Sequence, residues 1–92
     1  MKYYALIYYL VGDYLERRSA FRDENLALAR ESNQRGELLL AGAFSDPSDR
    51  ALLVFKVAET SVIETFIRKD PYVINKLVTR WEIRQWNAVI GG

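Results

Sequence analysis

The segment from Arg68 to Val73 places a carboxylate, Asp70, and a phenol, Tyr72, on either side of Pro71. Proline fixes the backbone where a helix restarts, so both side chains are held at a rigid corner. The chain contains no histidine and no cysteine, so the usual base for chemistry near neutral pH is missing. Acid/base chemistry would have to use Asp70, another carboxylate, a tyrosine, or a lysine with a shifted pKa.

Two polar residues upstream, Arg22 and Asn25, are one helical turn apart, so they lie side by side on a helix. Arginine can hold an anionic ligand through two parallel hydrogen bonds. Asn25 follows Phe21 by four residues and precedes Leu28 by three, which places it on the apolar face. A buried polar group there needs a partner, or it costs about 1 to 3 kcal/mol.

Each of these four candidates also has a structural interpretation. Asp70 before Pro71 is a common helix cap, and Tyr72 is more often a packed aromatic than an acid. Arg22 on a helix is commonly solvated, and Asn25 can bond to a neighbouring backbone group. Both interpretations stay open for every one of them.

Four apolar runs of strand length predict the strands of this protein. The first is rich in tyrosine, isoleucine and leucine, and the last carries Trp81 and Trp86. The middle two are separated by a segment rich in Asp, Ser and Pro, which predicts a hairpin. The predicted strands are Lys2–Val11, Glu37–Phe44, Ala51–Val57 and Val78–Val89.

Two helices are predicted between these strands. Asp13 should cap the first in a capping box with Glu16, and Gly36 should end it. Its apolar face is predicted to contain Leu15, Phe21, Leu26, Leu28 and Ala29. Ser61 should cap the second helix in a capping box with Glu64. This helix should run to Lys69, with an apolar stripe formed by Val62, Ile63, Phe66 and Ile67. Asp70 should cap a further short helical piece that starts at Pro71.

The element order predicts an α+β fold of the ferredoxin-like βαββαβ class, formed by one domain over residues 1–92. Right-handed crossovers place both helices on one face of a four-stranded antiparallel sheet. In the first strand Tyr3, Ala5, Ile7 and Tyr9 alternate with Tyr4, Leu6, Tyr8 and Leu10, so both faces are apolar. Because helices cover only one face, we expect a homodimer joined through the other.

Composition narrows the class of partner. The net charge is +1, and the arginines are interleaved with acidic residues, so neither nucleic acid nor a membrane surface is expected as a partner. The RNA-recognition module shares this topology, but the third strand here lacks the glycine and the paired aromatics of its signature. No apolar run approaches the roughly 20 residues of a membrane helix, and we expect a cytoplasmic protein.

Four segments carry a family resemblance through their order and spacing. They are Tyr14–Arg18 through Phe21-Arg22, Gly36–Ala43, Asp70-Pro71-Tyr72-Val73 and Val78–Trp81. In these segments the chain resembles the YCII-related (YciI-like) family of dimeric α/β-barrel proteins, and the resemblance covers essentially the whole chain.

The resemblance implies a dimer that forms an α/β barrel, with a small-molecule pocket in which a helix histidine and the Asp of Asp-Pro-Tyr act as an acid/base pair. Some relatives are lyases that remove chloride from chlorinated hydroxyquinols. Here Asn25 stands at the position of the histidine, and asparagine does not titrate.

Two functions therefore stay open. The first is a small-molecule-binding or lyase-type protein in which Asp70 is catalytic and Arg22, Asn25 and Tyr72 bind the substrate, with no metal and no cofactor. The second is a non-catalytic dimerisation or accessory module in which all four residues are structural.

Overall fold

A four-stranded antiparallel sheet with helices on one face forms the protein, and the computed structural model describes residues 1–91. The predicted ferredoxin-like α+β class is confirmed. In chain order the elements are β1 (Lys2–Leu10), α1 (Tyr14–Arg17), a 3-10 turn (Arg18–Ala20), α2 (Arg22–Gln34), β2 (Leu38–Ala43), β3 (Arg50–Val57), α3 (Ser61–Lys69), α4 (Pro71–Ile74) and β4 (Val78–Gln85).

The sheet order is β2-β3-β1-β4, and every neighbouring pair is antiparallel. Strand β1 is therefore central, with Leu6 opposite Leu53 on one side and Ile83 on the other. Pairing with β4 shifts register between Tyr9 and Leu10, a bulge that bends the strand near its end. The central position buries β1 more completely than the edge strand β2.

Burial alternates along β1 with the two-residue period of a strand. Tyr4, Leu6 and Tyr8 are buried on the face that packs against the helices. That face joins the inward side of α3 in one hydrophobic core, which includes Leu38, Leu53, Phe55, Val57, Ile63, Phe66, Ile67, Leu77 and Val78. The alternate residues Tyr3, Ala5, Ile7 and Tyr9 form the open face of the sheet.

The prediction of one continuous first helix is wrong. Phe21 has φ −122° and ψ 2°, and this non-helical residue separates the 3-10 turn from α2. The Asp13 carboxylate pairs with Arg17 at 3.8 Å, and within the described part of the chain it makes no capping bond to the backbone. Leu15 is 53% exposed rather than on the apolar face.

Gly36 ends the helical segment as predicted, with φ 79°. Its N–H donates to the Asn33 carbonyl at 2.9 Å, and the Glu37 N–H donates to the Ser32 carbonyl at 3.0 Å. These two bonds are the Schellman arrangement, in which a glycine adopts the left-handed conformation at low steric cost.

Several other predicted boundaries need correction. Helix α3 has Thr60 at its N-cap position and Ser61 as its first residue, so the predicted capping box is absent from the described structure. Strand β4 ends at Gln85 rather than Val89, and Trp86 makes one more backbone bond, to the Tyr3 carbonyl. Strand β2 is one residue shorter at each end than predicted, whereas β3 starts one residue earlier.

No helix among residues 1–91 combines the length and apolarity that crossing a membrane requires. The same residues contain no group of three or more histidine, cysteine or acidic side chains that could hold a metal ion. The cytoplasmic location stays a prediction.

Candidate functional site

Asp70 lies at the junction of α3 and α4 and is 0% exposed. Its Oδ1 accepts hydrogen bonds from the Tyr72 backbone N–H and from Asn25 Nδ2, both at 3.0 Å. Its Oδ2 accepts a hydrogen bond from the Tyr8 hydroxyl at 2.8 Å. The predicted cap of α4 is confirmed, and the same carboxylate also joins α2 and β1.

Burial raises the pKa of Asp70 above its ordinary value, and the three hydrogen bonds to its carboxylate oppose that rise. Burial also raises the pKa of Tyr8, and the neighbouring Asp70 charge and hydrogen bond add to the effect. The pair thus combines an acid that is weaker than usual with a phenol that stays protonated.

A partly open cavity of about 180 Å³ lies beside this cluster. Arg22, Asn25 and Tyr72, the three predicted substrate-binding residues, all line it. Small residues of the β2–β3 hairpin also line it, namely Ala41, Gly42, Ala43 and Ala51. Typical ligand pockets measure roughly 300 to 1,000 Å³, so this cavity suits a compact ligand.

Tyr72 is 5% exposed, and its ring packs edge-on against Tyr14 with centroids 5.7 Å apart. Burial raises the pKa of Tyr72 to about 12, Tyr14 adds to the rise, and the positive charges of Arg22 and Arg18 oppose it. These two arginines therefore lie within electrostatic range of the phenol. They are four residues apart in the sequence, on either side of the break at Phe21, and both line the cavity.

Three lining residues with polar side chains were missed by the sequence prediction, namely Tyr8, Tyr14 and Arg18. The alternation of β1 placed Tyr8 on one face of the sheet but carried no signal for its partner, which lies 62 residues away. Asn25 was expected to bond to the backbone if it were structural, whereas its partner is the Asp70 side chain. The break at Phe21 immediately precedes α2, and Asn25 lies in the first turn of that helix.

A second cavity of about 280 Å³ lies between α2 and α3 and is larger than the first. Its charged lining residues include Arg35 and Glu37, which pair with each other at 3.0 Å. The first cavity is the better candidate because it contains the buried carboxylate's two side-chain partners, Tyr8 and Asn25.

The raised pKa of Asp70 predicts a specific pH dependence of stability. The pKa of an aspartic acid in the unfolded state is about 3.9. When its pKa is higher in the folded state, the protonated group stabilises the folded protein, and this stabilisation is complete below about pH 3.9. This contribution is lost as pH rises through the folded-state pKa.

We therefore expect the free energy of unfolding of the wild type to fall, relative to Asp70→Asn, as pH rises from about 4. Urea unfolding of both proteins from pH 4 to 8 measures the difference. The other titratable groups of the chain are common to both proteins, so their contributions cancel in the difference. A difference that is constant or rises with pH would show that the Asp70 pKa is not raised.

The fold and the site define a ferredoxin-like α+β protein with a compact cavity beside a buried Asp–Tyr–Asn cluster. The chain belongs to the YCII-related domain family, whose family model matches residues 1–87. No curated protein matches the chain in sequence.

Solved structures resemble the fold at low sequence identity. The 5-chloro-2-hydroxyhydroquinone dehydrochlorinase (TftG) from Burkholderia phenoliruptrix AC1100, in complex with 2,5-dihydroxybenzoquinone, has a TM-score of 0.78 and 12% identity. The match covers 92% of this chain and 93% of that chain.

Two further structures are similar over most of their length. A putative antibiotic biosynthesis monooxygenase from Deinococcus radiodurans has a TM-score of 0.59 and 15% identity, covering 99% of this chain and 95% of that one. A NIPSNAP family protein from Agrobacterium tumefaciens str. C58 has a TM-score of 0.58 and 14% identity, covering 92% and 90%. At these identities the likeness shows the fold alone.

Proposed function

We propose that this protein binds a small aromatic or enolic acid in the cavity beside Asp70 and acts on it as a lyase of the dehydrochlorinase type. The observation that carries the proposal is the buried carboxylate, whose two side-chain partners, Tyr8 and Asn25, both line the cavity. Asp70 is the acid/base group, and Arg22, Asn25 and Tyr72 contact the ligand. The reaction needs no metal or cofactor.

In this proposal Asn25 replaces the histidine of the family's acid/base pair. Its Nδ2 must face Asp70, because a carboxylate only accepts hydrogen bonds. Its Oδ1 is then directed away from the carboxylate and is an acceptor for a ligand hydroxyl. Asn25 can therefore orient a hydroxyl but cannot take its proton.

The alternative function is a non-catalytic dimerisation or accessory module. One observation favours it: the Tyr72 N–H bonds to Asp70 at 3.0 Å, so the carboxylate already has a structural role at the start of α4. The two functions differ in whether the cavity takes a ligand.

Two measurements test the proposal. Binding of 2,5-dihydroxybenzoquinone is followed by its absorbance, and turnover of 5-chloro-2-hydroxyhydroquinone is followed by chloride release. We expect Arg22→Ala to weaken quinone binding by about tenfold, equal to about 1.4 kcal/mol. Arg30→Ala is the matched control, because Arg30 is exposed on the same helix and lies outside the cavity lining.

Equal affinities of the two variants would place the quinone outside the proposed site. A wild type that neither binds the quinone nor releases chloride would favour the accessory module.

We further propose a homodimer through the open face of the sheet. Ile7 is half-buried at the middle of this face, and Leu52 pairs with it on β3. Toward one end Tyr9 lies between the guanidinium groups of Arg50 and Arg80, at 5.0 and 3.8 Å from the ring centroid. Aromatic residues and arginine are enriched at protein–protein interfaces.

We expect the protein to be a dimer at micromolar concentration, with an interface that buries roughly 1,600 Å² of accessible surface. Ile7→Lys places a charge at the proposed interface and should weaken the dimer at least about tenfold. Leu15→Lys is the control, since Leu15 is already 53% exposed on the helical side. Sedimentation velocity distinguishes the species, and a wild type that is monomeric at this concentration would refute the dimer.

A further inference from the structure

The Asp70 carboxylate is separated from the cavity by its own hydrogen-bond partners. It is 0% exposed, and it lies behind the cavity wall rather than in it. Oδ1 already accepts two hydrogen bonds, and Oδ2 accepts one from Tyr8. A ligand in the cavity therefore reaches this carboxylate only through Asn25 or Tyr8.

Only one of these two side chains can transfer a proton between the ligand and Asp70. The amide of Asn25 does not titrate, and its Nδ2 is held by the carboxylate. The Tyr8 hydroxyl has one proton, which lies in the 2.8 Å bond to Asp70 Oδ2, and its oxygen lone pairs remain for a ligand. The phenol thus has its donor side toward Asp70. Tyr8 is itself one of the residues that line the cavity, which places it between the carboxylate and a ligand bound there.

We propose that Tyr8 is the catalytic residue that exchanges a proton with the ligand, and that Asp70 acts through it as the terminal proton acceptor. The inference rests on the proposed function of this cavity. In the forward step the ligand O–H bond breaks and its proton bonds to Tyr8 Oη. At the same time the Tyr8 O–H bond breaks and that proton bonds to Asp70 Oδ2. The ligand keeps the electron pair, so the negative charge passes from Asp70 to the ligand.

The charges around the cavity favour this transfer. Arg18 from the 3-10 turn and Arg22 from α2 line the cavity and can stabilise the anion that forms on the ligand. The other titratable groups of the lining are the phenols Tyr14 and Tyr72, while β2 and β3 contribute only alanine, glycine and leucine. Burial raises the pKa of both Tyr8 and Asp70, so a tyrosinate is disfavoured and the carboxylate is a stronger base than usual.

The test uses 4-nitrophenol, whose absorbance shows whether it is bound as the phenol or the phenolate. At a pH below its own pKa, we expect the wild type to bind it as the phenolate. The ¹³C NMR signal of the Asp70 carboxyl should move to the position of a neutral acid. Calorimetry in two buffers with different ionisation enthalpies should show that no proton is released to the solution.

In Tyr8→Phe the path to Asp70 is cut. We expect the Asp70 signal to stay unchanged on binding, with the probe either neutral or ionised at the cost of a proton released to the buffer. Tyr4→Phe is the control, since Tyr4 is buried on the same face of β1 but lies outside the cavity lining. It should behave as the wild type does.

The wild-type spectrum tests the inference even where Tyr8→Phe fails to fold. Phenolate bound beside an Asp70 that stays ionised would overturn the inference and leave the binding site intact. Protonation of Asp70 on ligand binding in Tyr8→Phe would overturn it as well. Binding of 4-nitrophenol as the neutral phenol would also overturn the inference. A wild type that shows no heat of binding at millimolar 4-nitrophenol would count against the proposed function itself.

Discussion

Asp70→Ala is expected to lower the free energy of unfolding by about 2 to 5 kcal/mol. Loss of a helix cap costs about 0.5 to 2 kcal/mol. The substitution also removes the acceptor of the buried Tyr8 hydroxyl and of the Asn25 amide, and a buried polar group left without a partner costs about 1 to 3 kcal/mol. A small domain has a total stability of about 5 to 15 kcal/mol, so much of it would be lost. Urea unfolding followed by circular dichroism measures the change.

Three other substitutions separate the contributions of the cap and of the cluster. Asp70→Ser keeps an oxygen that can cap α4, and Asp70→Asn keeps the size of the side chain, so both should cost less than alanine. Asp49→Ala is the control at an exposed aspartate and should stay within about 0.5 kcal/mol of the wild type.

If Asp70→Ala costs no more than this control, the buried cluster does not stabilise the fold. If quinone binding and chloride release survive Asp70→Ser unchanged, Asp70 is only a cap.

Asn25→His is expected to introduce a group that titrates near neutral pH beside Asp70. The Asn25 Nδ2 lies 3.0 Å from Asp70 Oδ1, and a carboxylate at that distance favours the charged imidazolium. The imidazole pKa should therefore lie above its ordinary value of about 6.5. The attraction between the imidazolium and Asp70 stabilises the protein fully below about pH 6.5, the ordinary pKa of histidine. The stabilisation is lost as pH rises through the raised folded-state pKa.

NMR titration of the introduced imidazole reads this pKa directly, since the wild type has no histidine signal of its own. In the double variant with Asp70→Asn, the pKa should fall because the partner charge is gone. A histidine that titrates identically in both backgrounds would show that the two positions do not share a site. A variant that unfolds would show that position 25 cannot accommodate the family's residue.

The order of the elements could be predicted from the sequence because each apolar run has a clear period. The alternation of β1 identified Tyr4, Leu6 and Tyr8 as one face, and the stripe of α3 identified Ile63, Phe66 and Ile67. These residues are buried as a set, since the period alone decides which side of an element meets the core.

The break at Phe21 could not be predicted, because no proline or glycine marks it. The failed Asp13 and Ser61 capping boxes have a related cause, since a cap depends on local backbone geometry that the residue types do not determine. For the site, the rigid corner at Pro71 identified Asp70 and Tyr72. Tyr8 joins them through pairing between distant elements, which short-range patterns do not encode.

The hydrogen bond from the Tyr72 N–H to Asp70 also affects how relatives of this protein can be compared. Because this carboxylate caps α4, selection for stability alone would keep it after an ancestral reaction had been lost. An aspartate at this position is therefore no evidence that a relative is active. Position 25 is more informative, because an amide and an imidazole can both bond to the carboxylate while only the imidazole titrates. Relatives are best sorted by that residue together with the one at position 8.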